Sequence, residues 1–130
     1  MTLGKKLEER AQAIASAGTT KEGDPVSLLE GEIVLCLEQL EQRRVLHRDL
    51  LLHLLKAETY VDTDLAKLES YSPNSVHYRF LAKDSLKTKL FQIDSERRQL
   101  LIAFRRDVSN LEERLLHLLG QHAMIQHSSA

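Results

Sequence analysis

The amino-acid sequence predicts an all-α protein, a long antiparallel helical hairpin preceded by a short N-terminal helix. Three observations carry this expectation. Five Gly and two Pro are all that interrupt 130 residues. Leucine dominates the apolar set, with 5% aromatic residues and no Trp, which is a helical composition. Apolar side chains recur at steps of three and four wherever they are dense. At 42% hydrophobic and 28% charged, the chain has enough apolar material for a continuous core of ordinary domain size.

The first helix is expected over residues 3–17, with Leu3, Leu7, Ala11 and Ile14 on one stripe and Gly18 as its stop. Residues 18–24, GTTKEGD, collect Gly, Thr and charge and read as a linker, so residues 1–23 form a short helix and its connection. Asp24 before Pro25 is a helix start. The Asp oxygen accepts from orphan amides, and Pro at the first helical position loses no useful donor. No proline occurs again until Pro73, so a second helix is expected over residues 26–71, about 69 Å at ~1.5 Å per residue. Ser72, Pro73, Asn74 and Ser75 form the reversal, because Pro cannot donate inside a helix while Asn and Ser cap the next one. A third helix is expected over residues 76–119, closed by Gly120 in the position that suits a left-handed residue. Residues 24–120 then make the hairpin and residues 121–130 a flexible tail.

The two long helices carry matching seams. On the second lie Ile33, Leu37, Leu40, Arg44, His47, Leu51, Leu54, Glu58, Val61, Leu65 and Leu68. On the third lie Leu86, Leu90, Ile93, Arg97, Leu100, Phe104, Val108, Leu111, Leu115 and Leu118. A reversal centred on residues 72–75 places opposite each other residues whose numbers add to about 147. That register aligns Val61 with Leu86 and Leu54 with Ile93, and predicts the ion pairs Asp64–Lys83, Glu58–Lys89, Asp49–Arg98 and Glu41–Arg106. Exposed pairs of this kind contribute ~0 to 1 kcal/mol each and act mainly on alignment. The alternative architecture breaks the arms at residues 59–64 and 94–95, giving a compact four-helix up-and-down bundle.

Catalytic and cofactor chemistry has no support in the sequence, and neither a cofactor nor a small-molecule substrate is expected. Six histidines occur, but no Glu-x-x-His pair and no HExxH motif, and one cysteine excludes a Cys-rich zinc site. There is no Gly-rich phosphate loop and no G-x-S-x-G elbow. Cys36, flanked by Val34, Leu35 and Leu37, reads as a buried reduced thiol. The N-terminal lysines precede no continuous apolar run, and Glu8 and Glu9 argue against a transit peptide, so a cytoplasmic location is expected.

The function expected is therefore a non-catalytic protein–protein interaction or scaffold module, bound to a protein partner or to itself as a dimer. Apolar residues outside the seams, Leu46, Leu52, Leu55, Phe91, Leu101, Ile102, Leu116 and Leu119, form the candidate partner surface. The alternative is a peripheral helical module that binds acidic lipid or nucleic acid phosphates through the basic stretch 79–106, with Arg97, Arg98, Arg105 and Arg106 as its patch. That stretch holds eight bases and three acids but lacks interleaved aromatics, and the net charge of −1 gives no global pull towards phosphates. Intramolecular pairing with the acidic second helix is the preferred reading of these bases, and nucleic acid and membrane are not the expected partners.

Overall fold

The computed structural model of the chain describes residues 3–17, 25–70 and 76–128. All of them are helical: α1 (Leu3–Ala17), α2 (Pro25–Ser70) and α3 (Val76–Ser128). The expected linker and the Ser-Pro-Asn-Ser reversal lie outside the described residues. Neither long helix breaks at residues 59–64 or 94–95, so the four-helix alternative is not the fold. α2 packs antiparallel to α3, as a hairpin requires.

The chain divides into two compact units, and both long helices contribute to each. The first comprises residues 1–45 and 104–130, and so contains α1, the start of α2 and the end of α3. Its core is Leu7 and Ala11 of α1, Leu29, Ile33, Cys36 and Leu40 of α2, and Leu115, Leu118 and Leu119 of α3. The helices come close here. Gly4 lies against Glu112, whose carboxylate occupies the space an added Cβ would need. Arg44 holds Glu8 at 2.5 Å, which ties α1 to α2.

Among the described residues the second unit, 46–103, holds one segment each of α2 and α3. The seam faces inward as its periodicity predicts. Leu54 and Val61 are buried, and Leu51, Leu65, Leu68, Leu86, Leu90, Ile93 and Leu100 are half-buried. Two helices cannot enclose more than a narrow stripe of one another, and so this core remains thin.

Three expectations are corrected. α3 does not stop at Gly120, and residues 121–128 are helix rather than a flexible tail. Tertiary packing overrides the glycine: His122 is buried and Ile125 packs on the core, two and five residues beyond it. Leu119 is buried at 1% exposure and belongs to the core that α1 completes, so it leaves the candidate partner surface. The four predicted ion pairs are replaced by others. Lys83 reaches Glu69 at 3.6 Å, and Glu58 takes Arg97. Arg98 bonds Asp94 on its own helix at 3.1 Å, Arg106 meets Asp107 at 3.5 Å, and Glu41 lies 4.0 Å from Arg44. The cross-helix ion pairs sit roughly one to two turns off the expected register, whereas the Cys36 contact with the Leu111 carbonyl falls on it. A slide of one turn returns an apolar stripe to the same face, and long exposed side chains accept whichever opposite charge they reach, so neither signal fixes the alignment by itself.

Candidate functional site

Several described side chains capable of chemistry are engaged in packing or pairing. In the first unit the Cys36 thiol is buried and donates to the Leu111 carbonyl at 3.3 Å, and burial pushes its pKa up, away from the nucleophilic thiolate. Arg43 donates through Nε to Asp107 Oδ2 at 2.9 Å, and its guanidinium lies 5.4 Å from the centre of the Phe104 ring. That hydrogen bond holds the Asp107 carboxyl below its ordinary value. The hydrogen bond and charge of Glu8 raise the pKa of Arg44 further still. His122 sits at 4% exposure with Nε2 3.3 Å from Glu30 Oε1. It reads as a core histidine held by a carboxylate.

Arg44 and Arg97, polar positions of the two seams, each meet a carboxylate within their own unit. Arg43 and Asp107 clasp α2 to α3 in the first unit, whereas Arg44 turns to α1. Arg97 binds Glu58 across the second unit and Asp94 one turn back on α3 at 3.2 Å. Sequence reasoning missed Arg43, since it stands one position off the seam. The usable signal was its spacing from Phe104 and Asp107 in an antiparallel pair.

Three of the four arginines of the candidate phosphate patch contact carboxylates. In the second unit these are Arg97 with Glu58 and Asp94, and Arg98 with Asp94. In the first unit Arg106 lies beside Asp107, and Arg105 is exposed. Among the described residues no group of three or more His, Cys, Asp or Glu side chains is arranged to hold a metal ion. No described helix is long and apolar enough to cross a membrane.

The candidate partner surface gives the clearer signal. Leu46, Leu52, Leu55, Phe91, Leu101 and Ile102 all lie in the second unit and all are exposed, Phe91 at 70% and Ile102 at 67%. Tyr60, Phe80 and Leu81 of the same unit join them, and the sequence pattern did not single these out. Leu116 is exposed on the first unit. That unit also carries an open apolar groove of ≈ 640 Å³ between the start of α2 and the end of α3, lined by Leu28, Leu29, Glu32, His117, Met124 and Ile125 among others. These surfaces offer apolar area and peripheral charge. No protein-family model matches the chain, and comparison with curated proteins and with solved structures finds no match.

Proposed function

We infer that the chain is a non-catalytic interaction or scaffold module that binds protein through helical, coiled-coil-like packing on the unit formed by residues 46–103. One observation carries this. Among the described residues of that unit Leu54 and Val61 are the buried hydrophobic side chains, while nine large ones, Leu46, Leu52, Leu55, Tyr60, Phe80, Leu81, Phe91, Leu101 and Ile102, are exposed. Covering a Leu or Phe is worth ~1.5 to 3 kcal/mol per side chain, so such a surface is a liability when bare and an ordinary driving force for a helical partner. The carboxylates beside Arg97, Arg98 and Arg106 weigh against phosphate binding as the primary role.

The test is photo-crosslinking in native extract, with the photoreactive residue placed at Leu52, at Leu101 and, as a polar control, at Gln42. Protein adducts at the two apolar positions and none at Gln42 are expected. Adducts equally frequent at all three positions, or absent from the apolar ones, would overturn the inference, as would salt-sensitive binding to acidic vesicles that Arg97→Glu with Arg98→Glu abolishes.

A further inference from the structure

We propose that the occupant of the exposed face of α3 is a second copy of this chain, paired antiparallel about a two-fold axis at Phe91. This rests on the interaction reading above and names its partner. Among the described residues of the second unit, the large exposed hydrophobics on α3 are Phe80, Leu81, Phe91, Leu101 and Ile102. They are symmetric about Phe91, with Phe80 and Ile102 equally far on either side and Leu81 and Leu101 likewise. On a helix of 3.6 residues per turn, steps of seven and eleven residues return to within about 20° of the same direction. Phe80, Phe91 and Ile102 therefore share one stripe, and their exposures of 68%, 70% and 67% show that this stripe points away from the unit's own seam.

One charged pair on the stripe follows the same symmetry with opposite sign. Asp84 stands seven residues before Phe91 and Arg98 seven after, both exposed and both within about 20° of the stripe. In a two-fold antiparallel pair a residue before Phe91 faces the residue equally far after it on the other copy, so Asp84 meets the second copy's Arg98, twice by symmetry. On one flank Lys87 comes level with the second copy's Asp94 or Ser95, the residues three and four beyond Phe91, and on the other Thr88 does the same. Phe80 covers Ile102, and the two Phe91 rings meet at the axis. A surface shaped for an unrelated partner has no reason to be symmetric about one of its own residues in both apolar pattern and charge. An isologous dimer requires it. Neither Asp84 nor Lys87 forms an ion pair within the described residues, whereas Arg98 and Asp94 bond each other at the rim.

Two measurements test the pairing on the purified full chain. The first is disulfide capture in a Cys36→Ala background. Facing Cα atoms of helices packed 8–10 Å apart come within about 4–6 Å, in reach of a disulfide. Phe91→Cys is expected to form a covalent dimer under mild oxidation. Lys87→Cys is not, because its two copies lie about 12 Å apart along the axis. The second is charge exchange followed by sedimentation. Asp84→Arg and Arg98→Asp should each weaken the dimer about tenfold or more, since each places like charges together at two symmetric sites, and the double variant should restore it. Phe91→Asp should leave a helical monomer. A chain that stays monomeric at high micromolar concentration overturns the dimer, and so does a dimer that is captured through Lys87→Cys but not Phe91→Cys, or one that the double exchange fails to rescue. If the chain is monomeric yet still gives the Leu52 and Leu101 adducts in extract, the dimer fails and the interaction module stands. If both are lost, both fail.

Discussion

Leu116 and Leu119 lie one turn apart on α3, and replacing each with Ala separates the core of the first unit from its surface. Leu119 is 1% exposed and clusters with Leu7 and Ala11 of α1, whereas Leu116 is 50% exposed. Truncating a fully buried leucine removes its transfer free energy, ~1.5 to 3 kcal/mol, and leaves a cavity whose cost raises the total to ~2 to 5 kcal/mol. Leu119 sits where three helices meet, so all three must shift before the space can close. Collapse is limited, and the middle of that range is expected. With a urea slope of ~1 to 3 kcal/mol per molar, Leu119→Ala should lower the midpoint of unfolding, read by far-ultraviolet circular dichroism, by roughly 1 to 2 M. Leu116→Ala should change stability by less than about 0.5 kcal/mol. Equal midpoints for the two variants would refute the reasoning, since they would mean that α1 does not seal this face of α3.

Gly120 lies in the helix interior, is exposed, and has open space where a Cβ would stand, so Gly120→Ala should stabilise by ~0.5 to 1 kcal/mol in thermal unfolding. Loss of stability would mean that the helix ends there after all. Asp107 has its folded pKa depressed below an ordinary value near 3.8, chiefly by the Arg43 hydrogen bond. Its contribution is therefore present above the unfolded pKa and lost as pH falls through the lower folded value. The stability gap between the wild-type chain and Asp107→Asn should be constant above about pH 5 and should close in acid, measured as the unfolding midpoint against pH. A gap that widens in acid would be the wrong sign. Cys36, buried and with a raised pKa, should react with a thiol reagent only as fast as the first unit opens, so adding sub-denaturing urea should accelerate labelling. Rapid modification of the native chain would contradict its burial.

The element order was legible because each boundary on offer had a local cause. The helix-start signal ending in Pro25 and the turn signal ending before Val76 in the sequence match the first described residues of α2 and α3. The seams were legible because burial tracks the helical repeat: Ile33, Leu40, Leu54, Val61 and Leu115 are all inward. The features that escaped depended on contacts between elements far apart in sequence. In the sequence α1 has an apolar stripe of four residues, yet Ala11 is fully buried and Leu119 is drawn inside with it. Gly120 carried a stop signal that the packing of His122 and Ile125 outweighs. Six of the eight residues named for a partner surface, from Leu46 through Ile102, are exposed in one unit, since off-seam positions of a two-helix pair have nothing of their own to cover them. Tyr60, Phe80 and Leu81 went unnoticed beside them. The symmetry about Phe91 stands in the sequence too, but it acquires meaning only once exposure shows which residues share the outer stripe.

Hydroxyl-radical labelling of the purified chain over a rising concentration series, read residue by residue, tests most directly whether the exposed face of residues 46–103 is meant to be covered. Phe80, Phe91 and Ile102 are expected to lose reactivity together as concentration rises, while Met124, 71% exposed in the other unit, keeps its own. Phe91 remaining as reactive in concentrated protein as in dilute protein, and as reactive in native extract as in buffer, would contradict an interaction surface on this unit.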